Sequence, residues 1–297
     1  FRKEILSTPV VDFTKEEIDD MNDGSKSLLC DRHLRKNTQS FQIYAMHRTI
    51  PGLDNLTPVR RKALTSFYKH NVTSPLKIYM AAGRIAFEYL YHHGDASING
   101  ALIKMAQDYP GSNNISLLVK DGQVGSRNRR GKDAGSARYV GASLRKNTVE
   151  ALFPKDDFPI LPKSFTDGTE VEPQYYLPTL PLPILEFNKS VSYAWCLEVY
   201  PRDIDVVCKV LTKLCKGEEI SDKDKKIPLS KKGFKGTLKF QNTEDGREQI
   251  YMKGLYKQLK EGKTDILHIT ELPLCVTPKK IELALIEDDD IVSNVSN

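Results

Sequence analysis

Apolar residues recur at helical spacing beyond Ser97. Ile98, Ala101, Leu102, Met105, Ala106 and Tyr109 share one face, while Asn99, Lys104, Gln107 and Asp108 fall on others. This predicts a helix running to about Tyr109, with Asp95 or Ser97 as its cap. A shorter helical stretch, Gly83 to Tyr91, precedes it, and His92-His93-Gly94 joins the pair as a helix-turn-helix. Ile115 to Val119 then reads as a strand, Asp121-Gly122 as a turn and the residues after it as a wing, with Tyr139-Val140 opening another strand. The expected fold class is therefore α+β, beginning with a winged-helix domain over residues 28–153. The proline-rich run from Pro154 to Pro162 marks a boundary, and residues 154–297 are expected to form a second, mixed α/β domain. Within it, Ile204, Val207, Cys208, Leu211, Leu214 and Cys215 stripe a helix from Arg202 to Lys216 that Gly217 ends. Residues 1–27 are polar, carry the acidic cluster Glu16-Glu17-Ile18-Asp19-Asp20, and read as a connecting segment with Thr14 available as an N-cap.

Composition adds limits rather than detail. With 297 residues of which 39% are hydrophobic, the chain has enough apolar material for two medium cores. A net charge of +5 says little about partners, because a polyanion binder is recognised by clustering rather than by total. The five cysteines are odd in number, lie far apart and include no CxxC, which argues against a disulfide framework and against a zinc site and for a reducing compartment. No apolar run approaches the length of a membrane span, and Phe-Arg-Lys-Glu is no signal peptide, so a soluble intracellular protein with no membrane partner is expected. The absence of an initiating methionine suggests a piece of a longer polypeptide.

The charge is clustered. From Arg127 to Arg138, Arg127, Arg129, Arg130, Lys132 and Arg138 stand against Asp133 alone, and the small residues between them let a backbone approach a phosphodiester closely. Tyr139 closes the run. A tyrosine, with an ordinary pKa of about 10, attacks phosphorus only when it is helped toward phenolate, and an adjacent arginine supplies permanent positive charge for that. On these residues alone the run reads first as a surface loop that binds phosphate loosely, ahead of a nucleophilic tyrosine. A histidine pair at a turn likewise reads first as structural, and Arg48 as an ordinary ion pair.

The order His92-His93-Gly94, Gly111-Ser112-Asn113-Asn114, Gly131-Lys132-Asp133 and Ala137-Arg138-Tyr139 closely resembles the breakage-reunion region of type IIA DNA topoisomerases. Upstream, Arg48-Thr49-Ile50-Pro51 and Asp54-Asn55-Leu56-Thr57-Pro58-Val59-Arg60-Arg61-Lys62 resemble that family's R-x-I-P…D-G-x-K-P-x-x-R-K element, with Asn55 in place of the glycine and Thr57 in place of a DNA-binding lysine. Downstream, Glu172-Pro-Gln-Tyr-Tyr-Leu-Pro-Thr-Leu-Pro181 resembles E-P-x-Y-Y-L-P-I-I-P. Glu186-Phe-Asn-Lys-Ser-Val-Ser-Tyr-Ala-Trp195 stands where the family has N-G-A-E-G-I-G-T-G-W. Lys232 to Thr237 and Ile269 to Pro273 resemble strand-flanking elements of the family's tower domain.

The resemblance implies that Tyr139 attacks DNA and becomes joined to a 5′ phosphate, with Arg138, His93 and Arg48 stabilising the reacting phosphate. It implies DNA contacts from His92, Ser97 and Asn113, from Arg60, Arg61 and Lys62 in place of the missing lysine, and from the loop residues Arg127, Arg129, Arg130 and Lys132. Val191 falls where the family wedges an isoleucine between base pairs, although with the glycines around it replaced a strand-core role is equally open. The implied cofactors are Mg2+ and ATP, each held by a domain outside this chain. The implied partners are double-stranded DNA and, in the full-length enzyme, a second copy forming a homodimer. This chain alone is thus expected to bind DNA without cutting it efficiently. Asp203 and Asp205 form a DxD, but Asp203 sits where a helix cap is expected, and Asp288-Asp289-Asp290 reads as a solvated patch, so no metal site is assigned. The departures at Thr57 and across 190–194 point to a large DNA virus as the source, and so to the host cytoplasm ahead of the nucleus. The rivals are a non-catalytic winged-helix binder and a metal-free tyrosine strand transferase; the second lacks its spaced Arg…His-x-x-Arg…Tyr set.

Overall fold

The structure, a computed structural model, describes residues 38–286 apart from 194, 244, 247 and 275, together with residues 14 and 15. The rest of the expected connecting segment, Cys30, Cys275 and the acidic patch at 288–290 lie outside the described residues.

The first part of the chain gives helices α1 (Gln39–Thr49), α2 (Pro58–Lys69), α3 (Ile78–Glu88), α4 (Asp95–Ala106) and α5 (Lys146–Leu152) and strands β1 (Leu76–Lys77), β2 (Leu118–Asp121) and β3 (Gly141–Leu144). The strands form one antiparallel sheet in the order β1-β3-β2, with Leu76 opposite Ala142 and Val119 opposite Ser143. Helices α2 to α5 each turn an apolar stripe inward onto this sheet or their neighbours, whereas α1 buries only Gln39. Ala63, Leu64 and Phe67 come from α2, Ile78, Ala81, Ala82 and Ile85 from α3, and Ile98, Leu102 and Met105 from α4; all are buried with Leu118, Ala142 and Leu144. Burying each of the leucine, isoleucine, phenylalanine and methionine side chains contributes roughly 1.5–3 kcal/mol.

Several boundaries differ from the expected ones for identifiable reasons. Helix α3 begins at Ile78 because the stripe Ile78, Ala81, Ala82, Ile85 already has helical spacing before Gly83. Helix α4 begins at Asp95 behind Gly94, without a side-chain cap from Asp95 or Ser97, and ends at Ala106. There Asn113 Nδ2 donates to the carbonyls of Lys104 (2.7 Å) and Gln107 (2.8 Å), closing the helix end before Tyr109. The strand expected from Ile115 starts at Leu118, because the backbone N–H groups of Asn114 and Ile115 donate to the Glu186 carboxylate (2.8 and 2.5 Å) instead of a ladder.

The core does not stop at Pro154. Past a 3-10 turn (Lys155–Ile160), Leu161, Tyr176 and Leu182 join the same buried cluster. Glu172 pairs with Lys62 (2.6 Å), and the Tyr176 N–H donates to Asp54 (3.0 Å). Hairpin β4 (Lys163–Thr166)–β5 (Thr169–Pro173) and the short α6 (Leu182–Leu185) complete this body.

Beyond Leu185 few apolar residues among those described are buried: Pro201, Val207 and Leu229. This part consists of hairpins β6 (Asn188–Ser192)–β7 (Trp195–Val199), β8 (Thr237–Asn242)–β9 (Glu248–Lys253) and β10 (Leu255–Glu261)–β11 (Thr264–Glu271), with α7 (Ile204–Cys215), the short α8 (Asp222–Lys225) and α9 (Pro278–Ile286). Helix α7 is capped by Asp203, whose Oδ1 accepts from the N–H groups of Asp205 and Val206 (both 3.1 Å), and Gly217 follows at φ +71°. Of its apolar stripe Val207 alone is fully buried; Ile204 and Leu214 are exposed. No helix among the described residues is long and apolar enough to cross a membrane.

Candidate nucleic-acid interface

Residues 122–140, between β2 and β3, form a pinned loop. Asp133 accepts from the N–H (2.8 Å) and Oγ (2.5 Å) of Ser126, and these bonds hold its carboxyl below the usual aspartate range. Gln107, at the end of α4, donates to the Val124 carbonyl (2.9 Å), and the Gly131 N–H donates to Ser126 (2.8 Å). Two glycines make this closure possible. A Cβ on Gly125, at φ +110°, would stand 2.6 Å from Gly131 Cα; one on Gly131, at φ +77°, would stand 2.7 Å from the Tyr109 hydroxyl. A 3-10 turn (Arg127–Arg129) follows, then Arg130 in the left-handed region at φ +51°. Arg129, Arg130 and Lys132 are exposed, forming a basic tip.

Tyr139 lies where this loop meets the sheet. Its N–H donates to Ser136 (2.8 Å), its carbonyl accepts from Lys77 Nζ (2.7 Å), and the Ala137 and Val140 carbonyls accept from the N–H groups of Tyr79 (3.1 Å) and Ile78 (3.0 Å). The backbone is thus fastened to the start of α3 while the side chain is 72% exposed, next to an exposed Arg138. This suits a nucleophile that must be held in place yet reach an external phosphate.

Arg48 and His93 come together through a residue that the sequence patterns do not flag. The Arg48 guanidinium lies 5.5 Å from the ring centre of Tyr44, whose hydroxyl is 3.3 Å from His93 Nε2, and the Tyr91 ring meets His93 edge-on at 5.2 Å. Tyr44 and Arg48 stand four apart on α1, a spacing that could have marked the pair. His92 Nε2 lies 3.3 Å from Asp167, and Ser97 Oγ accepts from the Tyr91 hydroxyl (2.9 Å). Among the described residues no hydrogen bond or ring contact joins Tyr139 or Arg138 to this group. The residues expected to act together therefore fall into two separate groups rather than a preformed constellation.

Four residues expected at DNA are turned inward. Arg61 is 8% exposed; its Nε and Nη2 donate to Asp54 (2.6 and 2.9 Å) and Nη2 also to the Leu56 carbonyl (3.0 Å). Lys62, equally buried, donates to Glu172 and to the Tyr89 carbonyl (2.7 Å). Asn113 closes α4 as described. Arg127 pairs with Glu271 and donates to the Leu272 carbonyl (2.6 Å), tying the basic loop to the end of β11. In each case the polar head already has internal partners, and extracting it for a phosphate would leave a buried group unpaired.

Arg60 is half-buried; desolvation pushes its pKa down, partly countered by Glu186. It opens onto a groove of about 420 Å³ between the segment 49–60, from the end of α1 to the start of α2, and α4 and β6, with Thr57, Ser97, Lys104, Lys189 and Ser190 on its walls. Val191, two residues beyond Lys189 on the same face of β6, is 67% exposed, so it points away from any core. Among the described residues, no three His, Cys, Asp or Glu side chains are placed to hold a metal ion, and Asp203 is spent as the α7 cap.

Comparisons with known proteins bear on this surface. The family described as the A subunit of DNA gyrase/topoisomerase IV matches residues 48–294. DNA topoisomerase 2 of African swine fever virus is 34% identical over 290 residues, 93% of this chain and 24% of that protein, an identity too low to make the two the same enzyme. The Arabidopsis thaliana DNA topoisomerase 2 is 33% identical over 79% of this chain and 15% of its own length. The Plasmodium falciparum topoisomerase II DNA-binding, cleavage and re-ligation domain superposes with a TM-score of 0.76 at 29% identity, covering 87% of this chain and 34% of that one. The chain spans about a quarter of the length of the viral relatives it matches. The match over residues 48–294, taken with the exposed, backbone-pinned Tyr139 beside its basic loop, means that the chain belongs to the DNA gyrase/topoisomerase IV A-subunit family, as the breakage-reunion region of a type IIA topoisomerase.

Proposed function

We propose that this chain binds duplex DNA and supplies the nucleophile of an ATP-dependent type II DNA topoisomerase. Helices α3 and α4, the β1-β3-β2 sheet and the loop 122–140 act as a winged helix, and the hairpins from β6 onward act as the tower. The observation that carries the reading is Tyr139, exposed beside Arg138 and fastened through its backbone to Lys77 and α3.

In the reaction, the Tyr139 hydroxyl attacks a backbone phosphorus, the P–O3′ bond breaks, the 3′ oxygen leaves with a proton, and a phosphotyrosyl diester to the 5′ phosphate remains. One phosphodiester replaces another, so religation by the same 3′ hydroxyl needs no external energy. Arg138 stabilises the charge that builds on the five-coordinate phosphorus, and bound DNA draws His93 and Arg48, linked through Tyr44, toward the same phosphate. A second copy cuts the other strand in a homodimer, opening a gate for another duplex. The family uses Mg2+ and ATP; this reading assigns both to other domains, and none of these steps runs through them.

A denaturant quench of the full-length enzyme on end-labelled duplex with magnesium tests the reading. DNA covalently attached through its 5′ end in the wild type and absent in Tyr139→Phe is the expected result. An adduct that survives the substitution would name another nucleophile, and the absence of any adduct from an otherwise active enzyme would leave a non-catalytic binding module.

A further inference from the structure

The groove between the segment 49–60, α4 and β6 holds more positive charge than the expected DNA contacts account for. Lys104 projects from α4 into it with no ion-pair partner among the described residues, and Lys189 lines the opposite wall on β6. Thr49, Thr57, Ser97 and Ser190 add hydroxyls between the two lysines and Arg60. Lys189 shares its strand face with the exposed Val191, so a duplex that reaches Val191 passes over Lys189. Its ammonium is lent to the cross-strand Glu198 (3.1 Å), an exposed pair of the weak kind that a phosphate can displace. Aligned with the family pattern, Lys189 falls on a glutamate and Thr57 on a lysine. Both positions line one groove, with their charges rearranged.

We propose that Lys104 and Lys189 are DNA-backbone contacts of this chain, and that Lys189 supplies from β6 the positive charge that Thr57 cannot supply from the loop. The proposal rests on the reading of this surface as a DNA-binding one. It gives the groove a stated ligand, a stretch of phosphodiester backbone, and it explains how the chain dispenses with the lysine at 57. Each lysine adds one released counterion to binding, and so about 0.9 to the slope of log affinity against log salt.

The test is fluorescence anisotropy of a short labelled duplex with the 297-residue chain, across about 50 to 200 mM salt. Lys104→Ala should lower the slope by about 0.9, and Lys189→Glu, which removes one contact and adds a negative charge, by at least as much. Thr57→Lys added to Lys189→Glu should recover about 0.9 of slope and part of the affinity. Lys189→Gln, which keeps a hydrogen-bond donor toward Glu198, should lose slope with an unchanged melting temperature, separating charge from folding. Slopes equal to wild type in the Lys104 and Lys189 variants would overturn the proposal while leaving the DNA-binding reading intact. A deficit in Lys189→Glu that Thr57→Lys does not reduce would overturn the exchange of roles. A wild-type chain that fails to bind duplex at any salt would overturn the proposal together with the reading beneath it.

Discussion

Replacing Asp54 with alanine is expected to come close to unfolding the protein. Asp54 is fully buried and accepts four hydrogen bonds: two from the Arg61 guanidinium (2.6 and 2.9 Å) and one each from the N–H groups of Leu56 and Tyr176 (both 3.0 Å). Breaking a buried ion pair costs about 3–5 kcal/mol, because the surviving charge is left without its partner. Each orphaned backbone N–H adds about 1–3 kcal/mol unless water enters the space left behind. Since the carbonyl of Leu56 still accepts from Arg61, we take roughly 4–6 kcal/mol as the total, against a usual stability of about 5–15 kcal/mol. Followed by circular dichroism in urea, with a slope of about 1–3 kcal/mol per molar, the midpoint should fall by roughly 2 M. The Asp54→Ala/Arg61→Ala double variant should be less unstable than the sum of the two, with a coupling of about 2–3 kcal/mol. A loss below about 1 kcal/mol, the size seen for exposed pairs, would refute the reasoning. So would a fall in the DNA-binding salt slope for Arg61→Ala, since that residue would then be reaching phosphate after all.

Other expectations are as direct. Burial pushes the Lys231 pKa down to about 8, against about 10.4 in an unfolded chain. Between those values the unfolded chain binds the extra proton, so stability should rise with pH from about 8 toward 10, and urea titrations should show that rise lost in Lys231→Met. Gly131→Ala places a methyl group against Gln107 and Tyr109 at φ +77° and should lower stability by about 2 kcal/mol or more. Gly168→Ala, at φ +75° in open space, should cost only about 1 kcal/mol in the same thermal melts. Arg129→Ala, Arg130→Ala and Lys132→Ala should each lower the salt slope by about 0.9, whereas Arg127→Ala should lower the melting temperature with little change in slope.

Local features were readable from the chain. The stripe Ile98, Ala101, Leu102, Met105 put α4 in place, and Asp203 as a cap, in preference to a metal ligand, followed from its position before α7. The basic tip and the exposed tyrosine also followed, because clustering and spacing are local. What failed was the direction of a charge. Arg60, Arg61 and Lys62 form one basic run, yet the partners that draw two of them inward are Asp54 and Glu172, the latter 110 residues away. Arg127 was missed for the same reason, since Glu271 and the Leu272 carbonyl lie far along the chain, whereas Asn113 is taken up by the nearby carbonyls of Lys104 and Gln107. Tyr44, which joins Arg48 to His93, was hidden because its histidine lies 49 residues further on. The second sheet region was hardest, since its hairpins are stabilised mostly by local pairing and little buried apolar surface betrays them.

The continuity of the core across Pro154 has a temporal side. A chain emerging from the ribosome folds as its contacts become available, and those most distant in sequence close last. Helix α1, which carries Tyr44 and Arg48, and the α3–α4 turn, which carries His93, leave the ribosome well before Glu172, Tyr176 and Glu186, which neutralise Lys62, engage Asp54 and hold the backbone ahead of β2. Until Glu186 has been made, the basic loop has been synthesised without the support that fixes the strand leading into it. The DNA-binding surface is thus completed only once Glu186 has been made, at the point where β6, the strand that carries Lys189 and Val191, appears.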